Sequence, residues 1–172
     1  MSAMFSSLDP EAVGRIRLHI EDNSNMVDDL VKDIVKPYID DLDTYVQFVS
    51  DCLKDGNNPP SNAELEDFCL NLSAKIYWAG GGQEMLGIRD DIATAVYKET
   101  FNSARDNHKG TVQDKNSRAE LASQQEQIVS ICYSRAYKAM KAKVANAQEL
   151  LGSCKKVLSH RIEEMSLTRM ST

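Results

Sequence analysis

Long apolar runs are missing from this chain. No stretch approaches the roughly 18 consecutive apolar residues that a membrane-spanning helix needs, so none is expected. The opening segment, MSAMFSSLDPEA, has no basic region leading into an apolar core. It does not read as a secretory signal, and a cytoplasmic location is expected. Aromatic residues are scarce at 6 %, and prolines number 4, which speaks against a β sandwich or barrel.

Clustered metal ligands are also missing. Cys52, Cys69, Cys132 and Cys154 form no CxxC pair, and His19, His108 and His160 are scattered. No zinc site is expected, since one needs closely spaced Cys or His ligands. Cys132 and Cys154 fall on one expected helix. Their spacing there is roughly 33 Å, far beyond disulfide reach. Reduced, packed thiols are the expected state. Catalytic signatures are absent as well: the sequence contains no GxxxxGK[ST], GxSxG or HExxH. Gly80-Gly81-Gly82 lacks the further glycine of a dinucleotide fingerprint, because Met85 stands in that place. A break between two helices is its expected role. These absences predict a protein that is not an enzyme and carries no cofactor.

What is present is ordinary for a folded chain of 172 residues, with 42 % apolar and 27 % charged residues. The net charge of −6 taken alone argues against nucleic acid, but it is an average over a gradient. Residues 1–70 hold 15 acidic and 5 basic side chains, a balance of −10. Residues 71–118 balance at +1 and residues 119–172 at +3. Such asymmetry suggests regions that meet different partners.

Apolar periodicity predicts helices throughout. Asp9-Pro10 reads as an N-cap with proline at the first helical position. The element it opens fits a helix through Val13, Ile16 and Ile20, or a short strand through Ile16, Leu18 and Ile20. From Met26 to Leu53 three-and-four spacing predicts one amphipathic helix, or two joined at a kink at Pro37. Its outer face carries Asp28, Asp29, Asp33, Asp40, Asp41, Asp43 and Asp51. It reads as a solvated face, an acidic docking surface or a mimic of nucleic acid. DGNNPPS is the clearest linker. Ser61-Asn62-Ala63-Glu64 then matches a capping box. The helix it starts runs through Leu65, Phe68, Cys69, Leu72, Ile76 and Tyr77 and is expected to end or bend at the glycine triplet. A further helix is expected from about Gln83 to about Arg105, burying Met85, Ile88, Ile92, Val96 and Phe101. Asp106 to Arg118 is polar and is expected to be a mobile loop.

Between Ala119 and Met165 no proline occurs, and a single long helix is expected. At about 100° per residue, Val144, Ala147, Leu151, Cys154, Leu158 and Ile162 fall in one apolar arc, which is expected to pack on copies of the chain, as an oligomerisation surface, or on its other helices. Lys138, Lys141, Lys155 and Lys156 fall on the opposite side, an electrostatic footprint suited to phosphate. Lys143 and Arg161 fall inside the apolar arc, where they must snorkel, pair with acids or sit at an edge. Tyr97, Phe101, Tyr133 and Tyr137 are stacking candidates, although aromatics at helical spacing are more often core. The fold class expected is all-α: a helical N-terminal region, a helical hairpin and a long C-terminal helix, forming a homo-oligomer. The expected organisation is residues 1–55 as an acidic N-terminal region, 56–61 as linker, and 62–172 as a helical core.

The segment LEDFCLNLSAKIYWAGGGQEMLGIRDDIATAVYKETFNSAR, Leu65 to Arg105, followed by a polar loop and a long helix, resembles the phage recombination-mediator family typified by UvsY. Ile76-Tyr77-Trp78 occupies the place of that family's tyrosine and tryptophan near a break. Ala95-Val96-Tyr97-Lys98-Glu99-Thr100-Phe101 occupies its basic and aromatic stretch. The resemblance covers about residues 65–165. It implies a non-enzymatic protein in the cytoplasm of a phage host. Such a protein binds single-stranded DNA, oligomerises through its C-terminal helix, and helps load a RecA-like recombinase past a single-strand-binding protein. Lys98 matches the family's lysine, whereas Thr100 replaces its arginine and Glu99 adds a negative charge. Lys98, Arg105, Lys138, Lys141, Lys155 and Lys156 are the DNA-contact candidates, and any binding would be insensitive to base sequence. The alternative is a helical protein–protein interaction module, an assembly factor or inhibitor, with no nucleic-acid role. An acidic N-terminal segment lying beside the basic face would compete with DNA.

Overall fold

The computed structural model describes residues 10–170, with side chains placed for residue 18 and residues 21–167. Four helices follow one another: α1 (Pro10–Lys54), α2 (Asn62–Asn107), α3 (Val112–Ala122) and α4 (Gln124–Met170). No strand occurs among the described residues. The three long helices have 45, 46 and 47 residues, so each is about 70 Å long. Cross-helix neighbours set their directions. Phe48 meets Phe68, Lys75 meets Asp41, and Tyr38 meets Met85, so α1 and α2 are antiparallel. Asn62 reaches Met165, and Thr94 bonds Ser130, so α2 and α4 are antiparallel too.

The element left open between helix and strand is helical, and α1 passes through Pro37 without interruption. Proline cannot donate to the carbonyl of Asp33, but Pro37 is exposed, so water can satisfy that oxygen. Pro10 is the first residue of α1, while Asp9 lies outside the described residues. Val35, Ile39, Leu42 and Val49 of α1 are buried as their spacing predicts. They pack with Leu65, Phe68, Leu72 and Leu86 of α2 and Met140, Ala147 and Cys154 of α4 in one shared core. The acidic region and the residues beyond the linker therefore fold around the same apolar centre.

The start of α2 follows the predicted capping box: Glu64 N–H donates to Ser61 Oγ, and Ser61 N–H donates back to Glu64 at 2.7 Å. Three expectations are overturned. First, the glycine triplet does not end the helix, and α2 runs unbroken through it. Gly82 is buried where α1 crosses, and a Cβ there would lie 2.8 Å from Tyr38 Cβ. The backbone entropy cost of the glycine is offset by close helix–helix approach.

Second, the polar stretch is not a loop throughout. Thr111 and Asp114 form another capping box that starts α3. Third, the long C-terminal helix is present but begins at Gln124, not at Ala119. The buried Ser123 ends α3, its hydroxyl donating to the Ala119 carbonyl at 2.8 Å. Its own carbonyl accepts from Gln127 N–H and opens α4. Serine competes for helix carbonyls in this way and bends or breaks helices.

Candidate functional site

The DNA-contact candidates fall into two groups. Lys138, Lys141, Lys155 and Lys156 are all exposed on α4. Lys138 and Lys156 are 18 residues apart, five full turns, so they share an azimuth about 27 Å apart along the axis. Lys141 and Lys155 stand within about 100° of them. None of the four makes an ion pair with another described residue. Lys98 and Arg105 lie toward the other end. Thr94 faces Ser130, so Lys98, one turn further on, is about 18 Å along the bundle from Lys138. Lys98 is exposed, and Arg105 is half-buried with Nε 3.4 Å from Asp106. The structure therefore gathers the four α4 lysines into one row and leaves the α2 pair apart.

The acids of α1 engage different cations. Arg135 pairs with Asp28 at 3.4 Å, Lys143 with Asp43, and Lys75 with Asp41 at 2.6 Å. Lys75 also stands over the Tyr45 ring. The two charges read into the apolar arc of α4 are thus matched from within the chain, for Arg161 donates to the carbonyl of Pro60. Asp29 and Asp40 pair with neighbouring lysines on α1 itself. Acidic α1 does lie beside α4, but the cations it neutralises are not the four of the row.

The surface read as an oligomerisation seam is largely occupied by the chain's own helices. Val144, Ala147 and Cys154 are buried in the core, and Leu151 and Leu158 pack against it. Ile162 remains 52 % exposed. The stacking candidates are partly withdrawn. Tyr137 packs over Gly87, and the half-buried Tyr97 and Phe101 tilt against each other at 6.3 Å. Tyr77 and Trp78 are more available, 76 % and 77 % exposed, with rings edge to face at 5.6 Å.

Two features escape a reading of the sequence. An apolar groove of about 480 Å³ opens between α2 and α4, lined by Arg89, Ile92, Val96, Glu126, Val129 and Tyr133. Glu126 Oε2 has no hydrogen-bond partner among the described residues. The other feature is the orientation of α2. Periodicity predicts that Met85, Ile88, Ile92 and Val96 are buried, yet all are exposed, and the buried positions there are Leu86 and Ala93. Phe101 is half-buried. The signal is ambiguous because two apolar stripes interleave on this helix.

The four cysteines are free. Burial pushes the thiols of Cys69 and Cys154 above their ordinary range, which suits packing rather than nucleophilic work. No helix among the described residues is long and apolar enough to cross a membrane. No protein-family model, curated protein or solved structure matches the chain.

Proposed function

We propose that this chain is a non-enzymatic binder of single-stranded DNA that acts as a recombination mediator. In this reading it helps load a RecA-like recombinase past a single-strand-binding protein in the host cytoplasm. The observation that carries the reading is the row of Lys138, Lys141, Lys155 and Lys156, exposed and outside every ion pair found among the described residues. Charges already matched by carboxylates release few counterions on meeting a phosphate chain, whereas solvated lysines release one each. The resemblance of residues 65–165 to the UvsY-typified family supports the same reading. The row carries no base-reading motif, so the contacts are to backbone phosphate and ignore base sequence. Several copies on one strand would multiply weak contacts through high effective concentration.

The test is an anisotropy titration of a labelled single-stranded oligonucleotide across a salt series. Four phosphate contacts give a log–log slope of about −3 for single strands. Replacing Lys138 and Lys156 together by alanine should lower that slope by about 1.4. Absence of binding at low salt, a flat salt dependence, or an unchanged double variant each refutes the reading.

A further inference from the structure

Helix α2 carries two apolar seams where a surface helix ordinarily has one. The first, Leu65, Phe68, Leu72, Ala79, Leu86 and Ala93, is buried against α1 and α4. The second runs through Trp78, Gly81, Met85, Ile88, Ile92 and Ala95, in steps of three and four residues, and every one is exposed. Trp78, Met85, Ile88 and Ile92 are 77 %, 47 %, 55 % and 58 % exposed. Such alternation is the heptad repeat by which one helix presents a straight seam to another. The second seam stands about 130° around α2 from the buried Ala79, Leu86 and Ala93, and Met85 at its edge also meets the Tyr38 hydroxyl of α1.

We propose that this outer seam of α2 is a self-association surface, occupied by α2 of a second copy of the chain running antiparallel. The sizes of the side chains select both occupant and direction. In an antiparallel pair an a position faces a d position across a two-fold axis. With the axis between Leu86 and Gly87, Trp78 faces the partner's Ala95, Gly81 faces the partner's Ile92, and Met85 faces the partner's Ile88. Trp78 and Ile92 each meet a smaller residue, Met85 meets an isoleucine of similar size, and every layer is filled twice by symmetry. A parallel pair would set tryptophan on tryptophan and glycine on glycine within one turn, which no single interhelical distance satisfies.

The area is sufficient. With Tyr77 and Val96 at the margins, the exposed apolar surface is on the order of 600 Å² per chain, so a pair buries about 1,200 Å², the lower bound for a stable interface. At the rim Glu84 approaches the partner's Asp91, and Lys98 approaches the partner's Tyr77. The acid pair repels, so added salt should leave the dimer intact or tighten it. Self-association through this seam needs no nucleic acid and stands apart from the DNA reading.

The test is sedimentation velocity of the full chain without DNA, from about 1 to about 200 µM, at low and high salt. The wild type should pass from monomer to dimer within that range. Ile88→Asp should remain monomeric with unchanged helical dichroism, because Ile88 makes no part of the chain's own core. Leu121→Asp, at a more exposed position off the seam, should dimerise as wild type. Direction is read from a swap. Trp78→Ala and Ala95→Trp should each weaken dimerisation about tenfold or more, and the double variant should recover most of that loss, because each tryptophan again faces an alanine. The proposal is overturned by a wild type that stays monomeric throughout, by an Ile88→Asp variant that dimerises normally, or by a double variant no better than the single ones.

Discussion

Gly82 and Gly80 stand two residues apart in the same helix, and alanine should act on them with opposite sign. Alanine is favoured over glycine within a helix by about 1 kcal/mol. A Cβ at Gly80 has nothing within 4 Å, so Gly80→Ala should realise that gain and raise stability by about 0.5–1 kcal/mol. A Cβ at Gly82 would lie 2.8 Å from Tyr38 Cβ and Cδ1 and 3.0 Å from Cγ. Tyr38 Cβ is attached directly to the α1 backbone, so relief needs the two helices to move apart. Overpacking of this kind costs about 1–3 kcal/mol. Set against the propensity gain, Gly82→Ala should come out destabilising by about 1 kcal/mol, a fall of about 2–4 °C in Tm for a chain of this size. The difference between the two variants isolates the steric cost, because propensity cancels. Urea unfolding followed by helical dichroism measures both, at concentrations low enough to keep the α2 seam unoccupied. If Gly82→Ala stabilises as much as Gly80→Ala, then α1 does not cross α2 at this point and the close packing of Tyr38 on Gly82 is refuted.

Other outcomes follow from the caps and the thiols. Hydrogen bonds from the Ser61 backbone and hydroxyl hold the Glu64 carboxyl below its ordinary range, and Thr111 does the same for Asp114. A depressed folded-state pKa contributes stability above the unfolded value, and that contribution is lost as pH falls through the folded one. Ser61→Ala removes an N-cap, which costs about 1 kcal/mol at neutral pH; because the lost hydroxyl also donates to the ionised Glu64 carboxylate, the penalty should shrink in acid, and a penalty independent of pH would refute that hydroxyl bond. In the native protein the half-buried Cys52 and Cys69 should alkylate before the buried Cys132 and Cys154, with Cys69 slowed by its raised pKa. Mass-resolved labelling checks this, and equal rates at all four would contradict the burial.

Local chemistry is legible wherever neighbours in sequence are also neighbours in space. The Ser61–Glu64 capping box, the linker before it and the azimuths of the four α4 lysines all follow from spacing along one helix. The Thr111–Asp114 box is equally present in the residues, and the polar composition around it conceals the signal. Helical spacing marks Lys143 and Arg161 as charges needing partners, but Asp43 and the Pro60 carbonyl lie 100 and 101 residues away. An α1 deletion, which the charge gradient suggests as a test of competition for DNA, is unsuitable, since Val35, Ile39, Leu42 and Val49 belong to the common core. Neutralising the exposed aspartates of α1 is the usable substitute.

Residue pattern along the chain is enough to establish that it is helical, where two of its helices begin, and that its positive charge is concentrated toward the C-terminal helix. Those properties depend on hydrogen bonds and periodicities that close within a few residues. Packing between distant segments is what carries α2 through three glycines, brings α1 into the core, and turns Leu86 and Ala93 inward while Met85, Ile88 and Ile92 point out. A heptad-spaced stripe records that a neighbour exists but not which helix supplies it. That choice is made by contacts such as Tyr38 on Gly82, whose energy appears only when distant segments meet.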